Sequence, residues 1–91
     1  MFYVISYDVP DDRRRTRVHS LLKNFGTRVQ YSVFECELDT SRREELRGRL
    51  EKLLAPEVDS IRCYRLCKDC LEQTEVFGTR PLTTEPDYWI V

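Results

Sequence analysis

The order of two periodicities along these 91 residues predicts an α+β domain. Residues 2–8, 27–38 and 59–66 alternate polar and apolar side chains, the period of half-buried strands. Residues 12–25 and 42–54 instead repeat apolar side chains three and four apart, the period of helices with one buried stripe. A chain of this length has room for a single modest core, burying little more than about 60% of its unfolded surface.

The first strand, Phe2–Asp8, places Tyr3, Ile5 and Tyr7 on one face and Phe2, Val4, Ser6 and Asp8 on the other. Asp11 or Asp12 is suited to cap the helix that follows, because a carboxylate there accepts from the open amide N–H groups of the first turn. Val18, Leu21, Leu22 and Phe25 form its buried stripe, and Gly26 is its expected stop. His19 flanks the stripe as a half-exposed packing residue. Residues 27–38 alternate with a slip of phase near residues 30–32: Phe34, Cys36 and Leu38 make one apolar row, and Val33, Glu35 and Glu37 the other. Two short strands joined by a tight turn or bulge explain the slip. Ser41-Arg42-Arg43-Glu44 fits a capping box ahead of Leu46, Leu50, Leu53 and Leu54, Glu45 and Arg49 add a favourable pair, and Pro56 closes the helix. The last alternating run opposes Ile61 and Cys63 to Tyr64 and Leu66.

The resulting order, βαββαβ, is that of a ferredoxin-like sandwich with both helices on one sheet face. Residues 74–77 are expected to add a further, C-terminal strand, and the apolar ending Tyr88-Trp89-Ile90-Val91 needs cover. A two-fold homodimer answers both needs, with bare sheet faces stacked and each tail adding a strand to its neighbour's sheet; a tail folded back on its own subunit is the plainer alternative. The chain thus divides into residues 1–77, the ferredoxin-like domain, and residues 78–91, a tail expected to be swapped in the dimer or to bind a partner.

A net charge of −1 hides a strong asymmetry. From Arg13 to Phe34 the cations Arg13, Arg14, Arg15, Arg17, Lys23 and Arg28 meet no acid, whereas beyond Leu66 acids predominate. One face is therefore expected to be positive, and its arginines suit bidentate phosphate contacts; a merely solvated helix face is the plainer reading. No apolar run approaches the roughly 20 residues of a membrane span. The chain opens directly on a strand, so a cytoplasmic, reduced setting is expected. Cys67-Lys68-Asp69-Cys70 has the spacing of a zinc knuckle or a redox pair, but no second such pair exists, and a plain turn carrying two thiols is the simpler reading. Cys36 and Cys63 read as small core residues.

The most informative stretch runs from Phe2 to Val18. A rigid strand ends in one carboxylate, Asp8, and arginines open the next helix. A carboxylate and guanidinium groups beside a phosphodiester suit nucleic-acid binding and a magnesium-assisted cut. Two Asp8 side chains meeting across a dimer axis would suffice, because magnesium takes one or two carboxylates and keeps its waters. An aspartate ahead of Pro10-Asp11 also fits a simple turn cap.

YDVPDDRRRTRV after an N-terminal strand, with RVQYSVFECEL after the first helix, resembles the small CRISPR-associated family Cas-two over residues 1–77. The resemblance implies a ferredoxin-like homodimer with a strand-swapped C-terminus. It further implies a nuclease dependent on magnesium or manganese, cutting single-stranded RNA in some members and duplex DNA in others. Such a dimer also bridges subunits of the CRISPR integrase while duplex DNA lies across it during spacer acquisition, an antiviral defence. By position, Asp8 matches the family's metal-binding aspartate, and Arg15, Arg17, Arg28 and Phe34 match residues associated with cleavage; Tyr7 and Ser32 also fit the motif. Phosphate contacts fall to Arg13, Arg14, Arg15, Arg17 and Arg28. Two other readings remain open: a non-catalytic DNA scaffold that docks an integrase through its acidic tail, and a stand-alone toxin-like ribonuclease.

Overall fold

The computed structural model describes residues 1–78, along which seven elements follow one another. They are β1 (Phe2–Asp8), α1 (Asp12–Lys23), β2 (Thr27–Gln30), β3 (Val33–Glu37), α2 (Thr40–Leu53), β4 (Ser60–Leu66) and a short α3 (Lys68–Glu72). The strands form one sheet in the order β2-β3-β1-β4, antiparallel at every junction. Each helical passage therefore steps over one strand, α1 past β3 and α2 past β1, which is the expected ferredoxin-like arrangement.

The alternation of β1 explains why it lies inside. Tyr3, Ile5 and Tyr7 join Phe34 and Cys36 of β3, Val18 and Leu22 of α1, Phe25, and Leu46 and Leu50 of α2 in one buried cluster. Each such aliphatic or aromatic side chain, fully buried, contributes about 1.5–3 kcal/mol. Phe2 and Leu71 are buried outside that cluster. Phe2 alternates onto the sheet face the two long helices leave bare, and its register partner Leu66 immediately precedes the turn into α3. α3 thus gives that face a partial cover, leaving Tyr64 half exposed.

Several local expectations change. The cap of α2 is Asp39, which accepts from the Arg42 N–H at 2.7 Å, so Ser41 lies inside the first turn and does not open a capping box. α1 is capped by Asp11 and ends at Asn24, ahead of Gly26. Gly26 is needed for space: a Cβ there would stand 2.3 Å from Cys36 Sγ and 2.4 Å from the Glu35 carbonyl. The phase slip is a turn at residues 31–32 together with a register shift between Arg28 and Gln30. Cys36 is buried, but Cys63 is exposed on the flank of α2. Cys67 to Cys70 form the start of α3, not a plain turn. Residues 74–77 pair with no strand among the described residues, within which the further strand is absent. The expected roles of residues 79–91 lie outside the described residues. Among the described residues no helix is long and apolar enough to cross a membrane.

Candidate nucleic-acid interface

The C-terminal end of β1 is fixed from two sides. The Tyr7 N–H donates to the Ser32 carbonyl at 3.1 Å, tying the strand to the β2–β3 turn. Beyond it, Val9 is buried, and Arg15 reaches back from α1 to donate to the carbonyls of Val9 (3.0 Å) and Pro10 (3.2 Å). The other side of the Arg15 guanidinium pairs with Asp12. Arg15 therefore orders the loop that follows Asp8, and its charge is shared with that loop.

Beside this loop Tyr7, Arg15, Thr16, His19, Arg28 and Tyr31 line an open groove of about 170 Å³. α1 supplies Arg15 and His19 one turn apart, and the β2–β3 hairpin supplies Arg28 and Tyr31. Tyr31 is 71% exposed at the lip. Burial pushes the Tyr7 phenol up, against the pull of the Arg28 and Arg15 charges. Burial, then Arg28 and Lys23, hold the His19 imidazole below its ordinary value. The groove thus offers two guanidinium groups, a neutral imidazole and an exposed ring, a set suited to phosphate and an unstacked base.

Phe34 is 0% exposed, with its ring centroid 6.3 Å from Tyr7 and 5.4 Å, edge-on, from His19. In this conformation it cannot touch a substrate, and it serves the groove by supporting two of its walls. Arg14 departs from expectation in a different way. Its Nε and Nη2 donate to the two oxygens of Asp59, at 2.7 and 3.1 Å, and the Asp59 side chain has no solvent exposure. Asp59 also accepts from the Ala55 N–H at 2.9 Å. The Arg14 charge is thus neutralised within the fold and is not available for phosphate. Among the described residues no ion pair engages Arg13, Arg17 or Arg28, all exposed. α2 carries Arg42, Arg43, Arg47 and Arg49, but acids of the same helix pair with each. Among the described residues, arginines outside any ion pair thus stand on α1 and β2, and also on β4, where Arg62 and Arg65 are exposed.

Asp8 is exposed, and alternation sets it on the opposite face of β1 from Tyr7; it is not a wall of the groove. The structure therefore brings Arg15 and Arg28 together, with Arg17 on the same helix, but not Asp8. No group of three or more possible metal ligands occurs among the described residues. One exposed carboxylate per chain fits magnesium or manganese only if a second chain or the substrate's phosphate completes the donor set. His19 and Tyr31 were not anticipated as groove residues. The spacing of Arg15 and His19, four apart on one helix, is the signal that could have found the first; the hairpin position of Tyr31 follows only from the fold.

Comparison with known proteins is consistent across sequence and structure. The family model for CRISPR associated protein Cas2 matches residues 1–74. A CRISPR-associated endoribonuclease Cas2 of Chloroflexus aurantiacus is 48% identical over 91 residues, all of this chain and 98% of that one. The crystal structure of Streptococcus pyogenes Cas2 superposes with a TM-score of 0.74 at 32% identity, covering 86% of this chain and 100% of that one. A chain of a partial Cas6–RT–Cas1–Cas2 complex superposes with a TM-score of 0.75 at 29% identity, covering 92% and 98%.

Proposed function

Because the chain belongs to the CRISPR-associated Cas2 family, whose members work in CRISPR systems, we propose that it is a homodimeric, metal-dependent endonuclease that also holds duplex DNA for a Cas1-type integrase. The observation that carries this reading is the groove at the end of β1, where Arg15, Arg28, His19 and Tyr31 converge beside the loop that leaves Asp8. A Cas2 chain in a complex with Cas1 supports the integrase partner, and the endoribonuclease activity named for a 48% identical relative supports phosphodiester cleavage.

In the dimer we propose, two chains stack through the sheet face bearing Val4, Val33 and Tyr64. Asp8 belongs to that face, so stacking brings two carboxylates toward one site. A magnesium or manganese ion held there would polarise a phosphoryl oxygen and a bound water. The chain's own residues do the rest. Arg28 and Arg17 hold phosphates, Arg15 fixes the loop between Asp8 and α1, and Tyr31 offers a ring for an unpaired base. Arg13 and Arg17 also suffice for binding duplex backbone without cleavage, which is the scaffold reading.

Asp8→Asn tests the enzyme against the scaffold. The substitution keeps the shape and removes the charge a hard cation needs, so cleavage should fall by orders of magnitude. Duplex binding should persist or tighten, since a negative charge near phosphates is gone. Full cleavage by the purified variant, or by the wild type in excess chelator, would leave only the scaffold.

A further inference from the structure

The nuclease reading makes no use of the two thiols that open α3. Cys67 precedes the helix and Cys70 lies in its first turn, three positions on, both exposed and both free. The Cys70 N–H donates to Cys67 Sγ at 3.4 Å, which closes the turn over the sulfur. Ser, Thr, Asp and Asn do this capping better, because sulfur is a weak acceptor. Capping alone therefore does not account for a cysteine at position 67, and still less for a second one within reach of it. We propose that Cys67 and Cys70 are a thiol–disulfide exchange pair, in which Cys67 attacks small-molecule disulfides and Cys70 resolves the product.

The local electrostatics divide the two roles. The Cys70 N–H, and after it the Cys70 thiol, hold the Cys67 thiol below its ordinary value; the same thiol–thiol contact pushes Cys70 up. Cys67 is the better populated thiolate and the attacking group. It bonds to one sulfur of the oxidant and expels the other as a thiolate. Cys70 then yields its proton to that thiolate and displaces the second thiol, forming the Cys67–Cys70 bond. One small disulfide is consumed, two thiols are released, and the protein loses two hydrogens. The remaining cysteines are poor competitors: burial pushes Cys36 up to about 12 and also raises Cys63. The new bond closes around the turn that seats Leu71, which is 1% exposed and whose N–H donates to the Cys67 carbonyl at 2.9 Å. Oxidation thus fastens α3 at its anchor, at the point where the chain leaves the sheet.

The test equilibrates the whole chain in glutathione buffers of rising oxidised fraction, traps thiols by alkylation and maps them by peptide mass spectrometry. A Cys67–Cys70 bond that forms within one chain and is reversed by dithiothreitol is expected, with Cys36 unmodified. Cys70→Ser keeps the N–H bond to Cys67 and should accumulate glutathione there, whereas Cys67→Ser leaves a Cys70 thiol that receives no such N–H and should take it up several-fold more slowly. Circular dichroism confirms that each variant is folded; should either fail, the order of alkylation in the wild type, Cys67 ahead of Cys70, carries the same information. Persistently reduced thiols in oxidising buffer, a bond to Cys63 or to a second chain, or faster reaction at Cys70 would overturn the proposal.

Discussion

His19 is the chain's one histidine, so its ring signals in an NMR titration are unambiguous. It lies in the groove with burial, Arg28 and Lys23 all favouring the neutral ring. A phosphate bound there offsets the two cations and favours the protonated form. Saturation with a single-stranded oligonucleotide should therefore raise the His19 pKa, and Arg28→Ala should raise it in the free protein. A value that does not move under saturating oligonucleotide would exclude the groove from the binding surface. At this scale the sequence was informative about residue types and poor about who touches whom. Asp8, Arg17 and Arg28 are exposed, as a binding surface requires, whereas Phe34 is enclosed: a motif marks residues that matter without distinguishing contact from support. The engagement of Arg14 was hidden for another reason. Its partner Asp59 lies 45 residues away, beyond any local pattern.

The two long helices differ in how they treat charge. α2 alternates arginine and glutamate and pairs them internally, while α1 carries its arginines with one acid, Asp12, in the first turn. The stripes that bury both helices, and the strands they cover, were legible because each follows a strict period. The caps were less so, since Asp39 and Ser41 are equally good candidates until the backbone fixes which one precedes the first turn. α1 is further joined to the approach to β4 by Arg14 and Asp59. The Arg14 hydrogen bonds hold the Asp59 carboxyl below the usual carboxylate range, against the opposing effect of burial. A carboxyl lowered on folding contributes stability that is complete above its unfolded value and lost as pH falls through its folded one. Asp59→Asn should thus be destabilised against wild type at neutral pH, with the gap in urea midpoints closing under acid conditions. A gap that stays constant into acid would show that shape, and not charge, joins these elements.

Across the whole molecule, near-neutral net charge coexists with a helix whose Arg13 and Arg17 enter no ion pair among the described residues, so total charge is no guide to what this surface binds. The homodimer we propose depends on the bare sheet face and on the C-terminal segment. Removing residues 78–91 should weaken it and leave the exposed Val76 and Phe77 without cover, read by light scattering as a shift toward monomer and aggregates. An unchanged dimer would mean that the face alone holds it. The fold order was legible because each element has its own period, but the sequence of the tail has none, and in the homodimer we propose its pairing depends on a second chain. The two rims of the sheet are unequal in a way that bears on this. β2 is four residues long and breaks register between Arg28 and Gln30, while β4 runs seven residues without a break. An incoming strand finds one good seat and one spoiled one. Two chains that fill each other's good seat leave only spoiled rims outward, so growth halts at a pair and does not propagate into a fibre.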